Sequence, residues 1–272
     1  MGLVEQIILR TMNIKYYEKG RTMIRKSLIY KTGVEYGDYT LNHVQGCSHG
    51  CKYPCYAYTM AKRFGKVKNY EEWTTPQIVE NTLELLEKEL PKYKEKINIL
   101  HLCFTTDPFM VGHQDICDLS LKVLQIANDA GVKCSVLTKG ILPQELAGLP
   151  LNNEYGITIV SLNEEFNQQY EPGAASASER IAALRYLSEQ GCKTWVSIEP
   201  YPTPNIIRQS LQEILDAVGF ADRIIFGRLH YNKIVSEYKE HKAFYNQCAE
   251  EVCAYCKEHR IAYHIKEGTI SE

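Results

Sequence analysis

The sequence contains no run of about 18 apolar residues, so no segment reads as a membrane span. Its start, MGLVEQIILRTMNIKYYEKG, is broken by charge every few residues and lacks the long apolar core of a signal peptide. MGLVEQ also lacks the Ser or Thr of a myristoylation signal. There is no repeat, no low-complexity tract and no linker long enough to separate a pair of domains. Strong net charge is missing as well: the formal value is -2, which removes the global sign of a nucleic-acid binder. Together these absences predict a cytoplasmic chain whose thiols stay reduced.

What is there is unevenly placed. The 272 residues, 44% hydrophobic, suit one large α/β domain or two small ones. Twelve Lys or Arg stand against four Asp or Glu through residue 70, about +8, and the remainder balances near -10. A basic rim of this kind suits phosphate in a cofactor, a nucleotide or a polynucleotide; the plainer reading is a solvated N-terminal face. Three of the ten cysteines crowd into GCSHGCKYPCYAY, residues 46–58. Cys103, Cys117, Cys134, Cys192, Cys248, Cys253 and Cys256 are scattered. The last three fall within one apolar helical arc with Phe244, Ala249 and Val252, which predicts core packing rather than a second metal site.

Helical periodicity runs over 75–90, 115–130, 176–190, 204–219 and 240–259. Buried strands are predicted at 97–104, 132–139, 156–163, 193–200 and 222–230, with 38–45 as the first strand and 261–267 as a final short strand or tail. Strand and helix alternate with short connections, which argues for parallel pairing and right-handed crossovers. About six such units are too few for a closed eight-unit barrel, which needs about 250 residues or more. The expected fold is α/β: a partial (βα)6 TIM-like barrel with an N-terminal arm over 1–37, a core over 38–230 and a C-terminal helix and strand over 231–272 completing the same domain. Such barrels carry their sites at the carboxyl ends of the strands. There the topology gathers the cysteine loop, TTDP (105–108), TKG (138–140), SLNEE (161–165) and EP (199–200) around one mouth.

Three thiols in one tight loop admit three readings. Zinc would need a fourth ligand, and His49 or His43 completes a Cys3His set. A [4Fe-4S] cubane held by three cysteines leaves one iron open to a substrate or cofactor, whereas most clusters take four. A reduced loop with incidental cysteines is the third reading, and the density of thiols weighs against it.

The chain resembles the radical S-adenosylmethionine superfamily, and within it the spore photoproduct lyase-like branch. YTLNHVQGCSHGCKYPCYAY, TTDPF, LTKG, VSLNEEFNQQYEPGAASASERIAALRYLSEQGC and VSIEPYPTPN occur in that branch's order and approximate spacing. The resemblance implies an enzyme that reductively cleaves S-adenosylmethionine at a three-cysteine [4Fe-4S] cluster. The resulting 5′-deoxyadenosyl radical then acts on a substrate the sequence does not name. It implies Cys47, Cys51 and Cys55 as cluster ligands, with Asp107, beside Thr105 and Thr106, at the methionyl amino group. Lys139, Ser161 and Asn163 fall where the carboxylate and ribose are held, Arg180 within reach of the carboxylate, and Glu199 near the adenosine. Tyr56 is a candidate to shield the cluster or stack on adenine. A reductant such as a flavodoxin or ferredoxin is implied, and nucleic acid stays open as a substrate. The competing reading is a non-catalytic metal- or cluster-binding module that recognises nucleic acid or a protein through its basic N-terminal face.

Two departures from the family pattern stand out. The spacing is C-x3-C-x3-C where C-x2-C is usual for the second gap, with Pro54 as the extra residue and the aromatic, Tyr53, one place early. Cys103 is a candidate hydrogen donor, but it lies one residue too far from Asp107, which in a strand reverses the face. Photoproduct repair itself is therefore not expected.

Overall fold

The computed structural model describes residues 22–230 and 232–271. Most of the expected N-terminal arm lies outside the described residues. The strands are β1 (Thr22–Met23), β2 (Ile29–Lys31), β3 (Tyr39–Leu41), β4 (Val44–Gln45), β5 (Gln77–Val79), β6 (Leu100–Leu102), β7 (Cys134–Thr138), β8 (Glu154–Thr158), β9 (Lys193–Tyr201), β10 (Arg223–Arg228) and β11 (Ala262–Ile265). The helices are α1 (Tyr56–Arg63), α2 (Tyr70–Thr74), α3 (Thr82–Tyr93), α4 (Gln114–Asp129), α5 (Glu164–Tyr170), α6 (Ala177–Glu189), α7 (Leu211–Val218), α8 (Lys233–Glu237) and α9 (His241–His259).

Eight strands form the main sheet in the order β11-β10-β9-β8-β7-β6-β3-β2. From β3 to β11 every neighbouring pair is parallel, and β2 is added antiparallel to β3. The sheet is not closed, in agreement with a partial barrel. Period-2 alternation splits its residues between two faces. Leu41, Leu102, Val136, Ile157, Val196 and Ile224 join the helix residues Leu86, Leu124, Leu184 and Leu215 in one core. The other face carries Thr40, His101, Ser135, Gly156, Trp195 and Ser197, all sharing the opposite parity. His101 stacks on Phe104 at 3.5 Å, and Trp195 meets His101 edge-on at 6.1 Å. Tyr36, from the β2–β3 connection, packs edge-on against both Phe104 and Trp195 at 5.8 Å. The same connection bridges to the far edge of the sheet: Glu35 lies 2.7 Å from His264 Nε2 and accepts a bond from Glu267 N at 3.0 Å.

Some elements differ from their sequence-based expectations. The expected helix over 75–90 breaks into β5 and α3, because Gln77–Val79 pairs with β1 and β4 in a small second sheet. The expected first strand over 38–45 splits between the two sheets, as β3 and β4. The strand expected over 156–163 ends at Thr158. Residues 204–210 are not helical; α7 starts only where Ser210 caps it by accepting from Glu213 N. By contrast α6 begins where expected, with Ser176 and Glu179 in a reciprocal capping box.

Gly156 is where the inner face is tightest, since an added Cβ would lie 2.4 Å from the Trp195 indole. Trp195 is fully buried and cannot yield. Gly156→Ala should therefore cost about 1–3 kcal/mol in denaturant unfolding. Gly148→Ala, where a Cβ meets nothing within 4 Å, should stay within about 0.5 kcal/mol of the parent.

Candidate functional site

The cysteine loop leaves β4 and enters α1, and its path is set by backbone contacts. Gly46 has φ +88°, and a Cβ there would lie 2.6 Å from Trp73 O. No other residue fits so close an approach in that conformation. Cys47 N then donates to Trp73 O at 2.8 Å, Lys52 N to Tyr170 O at 2.8 Å, and Tyr70 OH to Cys51 O at 2.7 Å. Cys55 occupies the cap position of α1, yet its thiol makes no cap bond. The extra residue of the second gap resolves simply: Pro54 is exposed, while Tyr53 turns inward and stacks on Tyr170 at 5.5 Å.

Two buried carboxylates hold this loop. Asp107 accepts from Phe109 N (2.8 Å) and Thr138 Oγ1 (2.7 Å) on one oxygen. On the other it accepts from Lys139 N (2.9 Å) and pairs with His49 Nε2 (2.8 Å). Burial pushes its pKa up, but His49 and the bonds from Lys139 and Phe109 outweigh that and hold it below the usual range. Glu171, at the end of α5, accepts from Lys139 Nζ (2.6 Å), Tyr53 OH (3.0 Å) and Arg180 Nη2 (3.0 Å). Its side chain is wholly buried; burial raises its pKa, and Lys139 and Arg180 overcome that to bring it to about 2. Lys139 Nζ also lies 3.7 Å from Cys51 Sγ, so one ammonium joins Glu171 to the cysteine loop. Gly173 lets the segment after α5 press on the loop: a Cβ there would fall 2.2 Å from Ser48 O.

Burial pushes the Cys47 thiol well up and Cys51 up to about 11, with Lys139 opposing the shift at Cys51. Bare thiolates are costly in this setting, and a bound cation that carries their charge suits it. Both nitrogens of His49 are engaged, by Asp107 and by Gly173 O, and both of His43, by Ser120 Oγ and Cys103 Sγ. Neither imidazole is thus free to complete a Cys3His zinc set. Among the described residues, no three His, Cys, Asp or Glu side chains gather as ligands of a single ion.

The sequence-predicted residues fall into two groups. Lys139, Glu199 and Tyr56 sit around the mouth with accessible surface, and Glu199 feels the charge of Lys139. Glu199 accepts from Lys266 Nζ at 2.9 Å; burial raises its pKa and Lys266 opposes this. Tyr56 donates its hydroxyl to Phe104 O at 3.0 Å. Asp107, Arg180 and Ser161 are buried and committed. Arg180 donates to Thr158 O at 2.6 Å as well as to Glu171. Ser161 Oγ accepts from Asn163 N, and Asn163 caps α5 through Phe166 N at 2.9 Å. Both fall within the strand expected over 156–163, but β8 ends at Thr158 and they shape a turn instead. Cys103 has φ +61°, is buried, and turns its thiol to His43 at 3.6 Å; burial pushes it up to about 12. The trio Cys248, Cys253 and Cys256 lies on α9, with Cys248 and Cys256 buried in the core. Glu171, Lys266 and Tyr36 escaped the sequence reading as site residues. Only Glu171 had a signal, as the acid of the Glu-Pro-Gly preceding α6.

The sequence model of the Radical SAM superfamily matches residues 41–218. An uncharacterised protein of Acidianus two-tailed virus is 28% identical over 197 residues, 68% of this chain and 64% of that protein. An uncharacterised protein of Methanocaldococcus jannaschii is 29% identical over 178 residues, 64% of each. The chain thus spans under two thirds of the length of these relatives. Among solved structures, spore photoproduct lyase complexed with dinucleoside spore photoproduct superposes with a TM-score of 0.66 at 16% identity, over 90% of this chain and 80% of that one. A mutant of that lyase with bound AdoMet gives 0.65 at 17% identity, over 89% and 80%. At that identity the likeness is one of fold.

Glu171 supplies a pH test. Its folded pKa is depressed, so its contribution is fully present above about pH 4.5 and is lost as pH falls toward about 2. Glu171→Gln leaves Lys139 and Arg180 without their anion and should cost about 3–5 kcal/mol at neutral pH. In denaturant melts from pH 7 to 2, the variant should also show a flatter acid limb than the parent.

Proposed function

The chain belongs to the radical S-adenosylmethionine superfamily, whose members use a [4Fe-4S] cluster and S-adenosylmethionine, and from that premise we propose that Cys47, Cys51 and Cys55 hold such a cluster in a radical enzyme. The observation that carries the reading is the pinned three-thiol loop at the strand ends, with the Lys139 ammonium 3.7 Å from Cys51 Sγ. The residues fit the group. All three cysteines keep some accessible surface as residues, the Cys55 thiol makes no cap bond, and the two nearby imidazoles are committed elsewhere. When bound, the cluster supplies the electron that cleaves S-adenosylmethionine to methionine and a 5′-deoxyadenosyl radical.

The chain's own residues bind and orient. Lys139 places a fixed positive charge beside Cys51, where it offsets thiolate charge and suits the cofactor's carboxylate. Glu199, steadied by Lys266, offers an acceptor for ribose hydroxyls. Tyr56, exposed at the start of α1, offers a ring face for adenine. Asn163 keeps its amide NH2 available at the exposed turn after β8. Asp107, Arg180 and Ser161 act through their neighbours, as positioning residues. Cys103 is not assigned as a hydrogen donor, because its thiol is enclosed against His43.

Anaerobic reconstitution tests this reading. About four irons per chain should be retained, and dithionite with S-adenosylmethionine should yield 5′-deoxyadenosine. Cys47→Ala, Cys51→Ala and Cys55→Ala should each lose both iron and product. Lys139→Met should keep iron while binding S-adenosylmethionine at least about tenfold more weakly, the worth of one charge-assisted contact. A chain that takes up zinc and gives no 5′-deoxyadenosine would overturn the proposal.

A further inference from the structure

Helix α1 follows the cysteine loop and packs directly on it. On its inner side Ala57 and Ala61 are buried with Val67 and Trp73, and Cys47, Cys55 and Tyr58 pack against this cluster. On its exposed side stands Met60, followed four residues on by Phe64, the residue that ends the helix. They are 39% and 66% exposed. Phe64 is the most exposed aromatic side chain among the described residues. The chain beside this pair is basic until Glu71 and Glu72 reverse the sign in α2. Between Gly50 and Tyr70 the chain has five basic residues, Lys52, Lys62, Arg63, Lys66 and Lys68, and no Asp or Glu. All five are exposed, and none forms an ion pair among the described residues.

An exposed apolar pair rimmed by cations with no ion pair among the described residues has the anatomy of a protein contact, with a desolvated centre and a charged edge that steers the partner. The superfamily requires an external reductant. Electron transfer weakens steeply with distance, so a donor gains most by seating on an element that packs against the thiols. We propose that the outer face of α1, with its flanking lysines and arginine, is the docking surface for an acidic one-electron donor protein of the flavodoxin kind. This rests on the reading of Cys47, Cys51 and Cys55 as cluster ligands. The exchange is a single electron transfer: the partner's flavin hydroquinone is oxidised by one electron, the cluster is reduced by one, and no atom passes between the proteins. Nucleic acid would use the basic rim but has less use for an exposed Met and Phe at the centre.

The test uses the reconstituted enzyme and pre-reduced flavodoxin, with cluster reduction followed by visible bleaching and complex formation by calorimetry. The parent's reduction rate should fall as salt is raised. Arg63→Glu/Lys66→Glu and, separately, Phe64→Ser should each slow reduction by flavodoxin about tenfold or more and weaken the complex. Iron content and reduction by dithionite should be unchanged in both. Variants reduced by flavodoxin at the parental rate would overturn the proposal. So would loss of single-stranded oligonucleotide binding in the same variants with flavodoxin reduction intact, which would assign the face to nucleic acid. A parent protein that holds no iron, or whose cluster dithionite does not reduce, would instead overturn the cluster reading beneath it.

Discussion

Glu171 is a carboxylate with no access to water, and such a group stays ionised only if cations come to it. Two do. Lys139 arrives from the end of β7 and Arg180 from α6, while Tyr53 brings the cysteine loop to the same oxygen that Lys139 uses. One desolvated charge therefore fixes the relative positions of three segments far apart in sequence. Asp107 repeats the device from the other side, tying His49 of the loop to Thr138 and the Lys139 backbone. The thiols sit between these two anchors. Their geometry is thus inherited from ionic contacts that water cannot screen, rather than from the short loop alone.

The same arrangement separates support from contact. A buried group whose hydrogen-bonding capacity is filled has nothing left to offer a ligand; a partly exposed group with one partner does. Asp107 and Arg180 are of the first kind. Lys139 and Glu199 are of the second, each steadied on one side by an opposite charge. Gly227 contributes by absence: a Cβ there would stand 3.0 Å from the Glu199 side chain. Pre-organisation here is the work of residues whose own bonding capacity is already filled.

The alternation of strands and helices was legible because a parallel sheet buried on both faces writes itself as apolar runs, such as ITIV and IIF. The cysteine loop was legible because three thiols in nine residues have few other uses. What stayed hidden depended on tertiary pairing. Gln77–Val79 carries a helical pattern and yet pairs with β1 and β4, since backbone partners on either side outweigh weak local preference. Ser161 and Asn163 looked like neighbours on a strand face because nothing in VSLN marks the strand's end at Thr158. Glu171 and Lys266 could not be ranked above other charged residues, because burial is what makes them count. The one-residue change in the cysteine spacing read as a departure from the family pattern; in space it is a solvent-facing Pro54 and an inward Tyr53.

The bridge from Glu35 to His264 and Glu267 N joins residues 229 and 232 positions apart, across the unpaired edges of the sheet. Contacts of such sequence separation carry a large loop-closure entropy until the intervening strands are in place. The seam between the first and last strands is accordingly completed late in assembly. It is also partly exposed, and opening it undoes two bonds to one carboxylate together with the edge-on packing of Tyr36 on His264. A fold read as an incomplete barrel therefore carries its own lateral seam, and amide exchange at Glu267 would report how often that seam opens.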